Sequence, residues 1–183
     1  MKHTNKIRNL VGVPALAAML AVTSAALVAA PTNHRTLADS VRHELVMLPY
    51  VGVFDNLSYS VADDGSVTLS GSVVRPVTRG DAETAVKHLT GVTSVNNQIE
   101  VLPLSGFDDR IRFAALRSLV NSTPLNRYFL GTQPSIRIIV KNGNITLDGV
   151  VRNETDRQFA SLMANGVSGA FSVTNNLQTE ATN

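Results

Sequence analysis

Two stretches 78 residues apart read as copies of one another: Asp64-Gly65-Ser66-Val67-Thr68-Leu69-Ser70-Gly71-Ser72-Val73 and Asn142-Gly143-Asn144-Ile145-Thr146-Leu147-Asp148-Gly149-Val150-Val151. In the first, Val67, Leu69 and Val73 alternate with Thr68, Ser70 and Ser72, and Ile145, Leu147 and Val151 repeat the pattern. A period of two marks a strand buried on one face. Upstream, Leu57, Tyr59 and Val61 alternate in the same way, as do Ile136, Ile138 and Val140. These upstream runs match at an offset of 79, so the second turn is one residue shorter. Asp63-Asp64-Gly65 suits a three-residue hairpin loop with glycine in the left-handed position, and Asn142-Gly143 suits a two-residue type I′ turn.

Outward from the hairpins, residues 64–102 align with 142–180 without a gap, and 11 of the 39 positions are identical, which marks a duplication rather than a chance motif. Ala82, Ala85, Val86 and Leu89 fall at helical spacing before Gly91; Ala160, Met163, Ala164 and Val167 do so before Gly169. A third strand follows, through Val95, Ile99 and Val101 in one copy and Val173 and Leu177 in the other. A further helix precedes each hairpin, Leu37 to Leu48 and roughly Phe107 to Val120. The predicted fold is therefore α+β: two tandem α-β-β-α-β units, each with two helices packed on a three-stranded mixed sheet. The expected organisation is a signal peptide over 1–30, a linker over 31–35, a first domain over 36–102, a linker over 103–106, a second domain over 107–178 and a tail over 179–183. Gly71 and Gly149, inside strands, predict a bulge or a close approach of the crossing helix.

These residues resemble the BON domain family. The stretch Asp64 to Gly71, an alanine-containing helix and then Gly91-Val92-Thr93-Ser94-Val95-Asn96-Asn97-Gln98-Ile99 carry the likeness. A more divergent copy follows with Gly143, Gly149, Gly169, Val173 and Asn175. The resemblance covers residues 36–178. It implies a two-copy periplasmic protein linked to osmotic stress and envelope integrity, a module that binds phospholipid or envelope components, and no enzymatic activity. Two departures stand out: Gly169-Ala170 replaces the usual Gly-Val pair, and an insertion precedes the second hairpin.

Composition agrees with an exported chain. Lys2, Lys6 and Arg8 precede an uncharged run from Asn9 to Asn33, the pattern of an export signal. Leu10 to Ala30 is long for a signal core, so an uncleaved anchor is the alternative. Small residues offer cleavage after Ala26, Ala29 or Ala30, the last disfavoured by Pro31. Without residues 1–30, 13 basic residues face 14 acidic ones, so the overall pI of 9.2 gives no reason to expect a nucleic-acid partner. The absence of cysteine excludes disulfides, thiolate metal sites and a lipidated cysteine. No His-Glu-x-x-His or Gly-x-Ser-x-Gly pattern occurs, and no phosphate-cradling glycine loop, so neither an enzyme nor a cofactor is expected. Asp63-Asp64 reads as turn chemistry, and Asp108-Asp109 as carboxylates that cap the free amides of a helix start and meet the positive end of its dipole.

Charge separates the two copies. Residues 36–102 carry four basic and eight acidic groups, whereas residues 107–178 carry eight and five. In the second copy's first helix, Ile111, Phe113, Ala115, Leu116, Leu119 and Val120 spread over roughly 200° at 100° per residue. That surplus apolar surface has three possible covers: the other copy, a membrane or a protein partner. The insertion Asn121 to Ser135 adds Leu125-Asn126-Arg127-Tyr128-Phe129-Leu130, a mixture of basic, aromatic and aliphatic side chains suited to a membrane interface or to plugging the core edge. The candidate lipid-binding residues are Arg110, Arg112, Arg117, Leu125, Arg127, Tyr128, Phe129 and Leu130. The expected partner is an anionic phospholipid surface, with an envelope protein or a second copy of the chain as the rival. Replacing Arg127, Tyr128 and Phe129 by serine is expected to reduce vesicle binding and leave stability nearly unchanged.

Overall fold

The computed structural model describes residues 36–180. The signal peptide or anchor (1–30), the linker (31–35) and the last three residues of the tail lie outside the described residues. The first repeat runs α1 (Leu37–Met47), β1 (Asn56–Val61), β2 (Ser66–Val73), α2 (Pro76–Lys87), β3 (Ser94–Asn97) and β4 (Glu100–Val101). The second runs α3 (Gly106–Val120), a short 3-10 helix (Asn126–Phe129), β5 (Ile136–Lys141), β6 (Asn144–Val151), α4 (Glu154–Asn165), β7 (Ser172–Asn175) and β8 (Gln178–Thr179). The fold is α+β with two mixed sheets, as the alternation and helical spacing predict.

In each sheet the middle strand pairs antiparallel with the hairpin strand before it and parallel with the strand after the crossover helix. Gly65 (φ +80°) closes the three-residue turn, with Ala62 N–H donating to Ser66 O at 2.9 Å. Asn142 and Gly143, both at positive φ, form the two-residue turn. The third strand, expected to be continuous, is interrupted. Asn97 Oδ1 accepts the Ile99 N–H (3.1 Å) and Asn175 Oδ1 the Leu177 N–H (3.1 Å), while the residue between each pair stays bonded to the middle strand. The bulge that results turns Ile99 and Leu177 into the core. The same asparagines donate from Nδ2 to the backbone carbonyls of Arg79 and Arg157 on the crossover helices, which gives asparagine the same two-sided role in both copies.

Helix starts follow capping chemistry. Thr36, Ser105 and Asn153 accept the N–H three residues on, and Pro76 occupies the first turn of α2. Asp108 is not the cap of α3. It is buried and reaches across to accept the N–H groups of Asn142 (2.9 Å) and Gly143 (2.8 Å), holding the second hairpin by its backbone. Gly71 and Gly149 also differ from expectation, for the close approach is by the neighbouring strand and not the crossing helix. A Cβ at these positions would lie 2.0 Å from Asn56 O and 1.9 Å from Ser135 O.

Each repeat has its own aliphatic core, and that of the second is larger. Its surplus apolar surface is covered partly by the first repeat: Val53 and Phe54 pack on it, Phe54 edge-on to Phe113 with centroids 5.4 Å apart. Ile138 N–H donates to Val53 O (2.8 Å) and Arg137 Nη1 to Gly52 O (2.9 Å), so the segment before β1 occupies the outer edge of β5. An edge strand left bare would be a template for pairing with other chains.

Thr78 and Asp156 occupy equivalent positions in the crossover helices. Thr78 is fully buried and its Oγ1 has no hydrogen-bond partner. Thr78→Val keeps the shape and removes an unsatisfied hydroxyl, so it should stabilise the protein by about 1 kcal/mol. A higher urea midpoint with an unchanged slope is the expected measurement; a lower midpoint would mean that the hydroxyl finds a partner in solution.

Candidate functional site

The candidate residues divide by burial. Arg112, Leu125 and Tyr128 lie inside the fold and cannot meet a membrane surface in this conformation. Arg112 is 2 % exposed, pairs with Asp109 and donates from Nη2 to Val140 O at 2.7 Å. It lies within the apolar arc of α3 because its charged end is spent tying the helix to β5. Leu125 is fully buried in the second core. Tyr128 packs beside it, donates its hydroxyl to Asp156 Oδ2 and accepts the Arg152 N–H at 2.8 Å. Arg127 is partly exposed but also committed: its Nη2 lies 2.6 Å from Asp156 Oδ2, and its guanidinium stacks over the Tyr128 ring. Asp156 foremost, then Tyr128, holds the Arg127 pKa above the ordinary arginine value.

The insertion thus supplies structure that the first repeat obtains otherwise. Val74, the counterpart of Arg152, donates its N–H to Asp55 Oδ1 (2.8 Å). The second repeat has Pro134 where the aligned position of the first holds Asp55, and Tyr128 from the insertion takes over that backbone amide.

What remains exposed is one side of α3. Arg110, Phe113, Arg117 and Val120 face outward along it, and among the described residues neither Arg110 nor Arg117 is paired with a carboxylate. Two residues outside the sequence-predicted set join this face. Phe107, in the first turn of α3, lies 5.7 Å from Phe171, and the Arg110 guanidinium sits 5.7 Å from the Phe107 centroid. Phe171 is 74 % exposed and covers Gly143 of the hairpin. The repeat alignment already held a signal for it: Phe171 stands where the first copy has Thr93. Phe129 and Leu130, half-buried and exposed, lie apart from this aromatic pair. They line an apolar groove of about 520 Å³ with Val53, Leu116 and Val120.

Among the described residues no group of three His, Cys, Asp or Glu side chains could hold a metal, and no helix is long and apolar enough to cross a membrane. His43 of α1 and His88, just past the end of α2, are both exposed.

Comparison with known proteins agrees with the repeat. The family model described as BON domain matches twice, over residues 33–103 and 108–181. No curated protein matches. Two solved structures of CdsD, a structural protein of the type III secretion system of Chlamydia trachomatis, are similar at 13 % identity and a TM-score of 0.31. Each covers 79 % of this chain; the C-terminal domain structure is matched over 97 % of its length and the other over 93 %. BON domains are in general non-catalytic binding modules of envelope-associated proteins. With the duplicated hairpin, the helix-exit glycines and both family matches falling on the same two segments, the chain belongs to the BON domain family as a tandem pair.

Proposed function

We propose that this is an exported, non-enzymatic envelope protein whose second BON repeat binds anionic phospholipid surfaces, in support of envelope integrity or osmotic-stress tolerance. The observation that carries the reading is the exposed face of α3, where Arg110 and Arg117 flank Phe113 and the Phe107–Phe171 pair. Aromatic rings beside guanidinium groups suit the headgroup level of a bilayer. Attachment of this kind is shallow, reversible and sensitive to salt. Export, to the periplasm or another extracytoplasmic compartment, rests on the N-terminal charge and hydropathy pattern.

Sedimentation with anionic and zwitterionic vesicles tests the reading. Binding to anionic vesicles at low salt is expected, with loss at high salt. A basic group near such a surface contributes about 1 kcal/mol, so Arg110→Ser with Arg117→Ser should weaken binding roughly thirtyfold. Phe107→Ser with Phe171→Ser should weaken it further at constant charge. Equal binding to both vesicle types, or binding indifferent to all four substitutions, would overturn the proposal.

The rival reading, a protein-docking module, draws on the apolar groove between Val53, Leu116, Val120, Phe129 and Leu130. Leu130→Ser would then abolish capture of the partner and leave vesicle sedimentation unchanged.

A further inference from the structure

A half-open cavity of about 270 Å³ lies at the seam of the two repeats, lined by none of the residues of the aromatic pair. Its lining includes Arg42 of α1, Tyr59 of β1, and Gln133 and Arg137 of the second repeat, with Asp55 in the wall. Arg42 is exposed and Arg137 half-buried, so two like charges border one small space and the second has given up part of its hydration, an arrangement that favours a counter-charge. The protein supplies little of it. Among the described residues neither arginine is within salt-bridge distance of a carboxylate. Arg137 donates only to neutral acceptors, Gly52 O at 2.9 Å and Gln133 Oε1 at 2.7 Å. Asp55 is buried and holds two backbone amides instead, accepting from Gly52 N and Val74 N at 2.8 Å each. Burial accordingly pushes the Arg137 pKa below the ordinary arginine value, with the Asp55 charge opposing.

We propose that the seam cavity is a binding site for a small phosphate-bearing anion, clasped by Arg42 and Arg137 from opposite repeats. Guanidinium forks match phosphate oxygens in pairs, and Tyr59 brings a hydroxyl that can donate to a third. At ~30 Å³ per water molecule the space equals roughly nine waters, room for phosphate and a short substituent but not for a bilayer. The anion would add a charged link to a seam already held by the packing of Val53 and Phe54 on the second core and by hydrogen bonds. This site is separate from the α3 face, and each can fail alone.

Thermal unfolding and calorimetric titration of the full chain with inorganic phosphate, against chloride at matched ionic strength, test the site. Phosphate at about ten times its dissociation constant should raise Tm by roughly 3 °C. Arg42→Gln, an exposed substitution on α1, should fold normally and weaken phosphate affinity at least tenfold, as expected for losing charge-assisted hydrogen bonds. Competition between phosphate and a monomeric short-chain phosphatidic acid would extend the site to a lipid headgroup; phosphate binding without competition would restrict it to the free anion. Absence of any phosphate-specific shift, or equal shifts in the wild type and Arg42→Gln, overturns the proposal. Vesicle binding retained by Arg42→Gln separates this outcome from that of the α3 face.

Discussion

Gly149→Ala is expected to destabilise the protein by about 4 kcal/mol, the upper range for a single small substitution. Two effects combine. Gly149 has φ +129°, a conformation that a residue with a side chain adopts only under strain. The added Cβ would also sit 1.9 Å from Ser135 O and 3.4 Å from Ile136 Cα, both backbone atoms that no rotamer change can move. Relief requires opening the β5–β6 pairing at its first register pair, Ile136 with Gly149, and the Val150 N–H to Ser135 O bond beside it. Gly71→Ala should behave alike, since its Cβ would meet Asn56 O at 2.0 Å. Gly80→Ala is the control: this helical glycine has no atom within 4 Å of its Cβ position, so alanine should stabilise by about 0.5–1 kcal/mol. Urea unfolding of the three variants checks the ordering. A Gly149→Ala protein as stable as the wild type would mean that the strands need not approach so closely.

Tyr128→Phe is expected to cost about 2–3 kcal/mol, and Tyr128→Ser about 4–5 kcal/mol. The phenylalanine keeps the packing with Leu125 but strands the Arg152 N–H and removes a donor from the buried Asp156. Serine adds a cavity. Vesicle binding by Tyr128→Phe should equal that of the wild type, because the ring lies inside the fold. This reverses the expectation drawn from sequence, in which serine at 127–129 spares stability and reduces binding. Stability unchanged in Tyr128→Phe, or vesicle binding lost, would return Tyr128 to the surface.

The contrast between Tyr128 and Phe171 shows where reading the chain succeeds and where it stops. Leu125 to Leu130 mixes arginine with aromatic side chains, and in one dimension that mixture is the same for a membrane-facing loop and for a core plug. Which it is depends on Asp156, 28 residues away, turning toward Tyr128 across the end of the sheet. Arg112 poses the same ambiguity, settled by the carbonyl of Val140. Phe171 is marked in the sequence only as a difference between the copies, phenylalanine for Thr93, because an aromatic residue after a helix exit carries no periodicity. Only its proximity to Phe107 and Arg110 gives it meaning.

Local and repeated features needed no tertiary information. Period-two alternation, the spacing of Ala82 and Val86, the turn pairs and the constant offset determined the order of helices and hairpin strands, both hairpin types and the duplication, because each depends on conformational preferences of adjacent residues. What the tertiary structure decided are the contacts between residues far apart in the chain. The approach of Ser135 to Gly149, the capture of the second hairpin by Asp108, the covering of the β5 edge by Val53, and the placing of Arg42 and Arg137 in the lining of one cavity all depend on how completed elements pack. Packing is selected by the summed burial of both repeats and the pairing of their polar groups. No short window of sequence contains that sum.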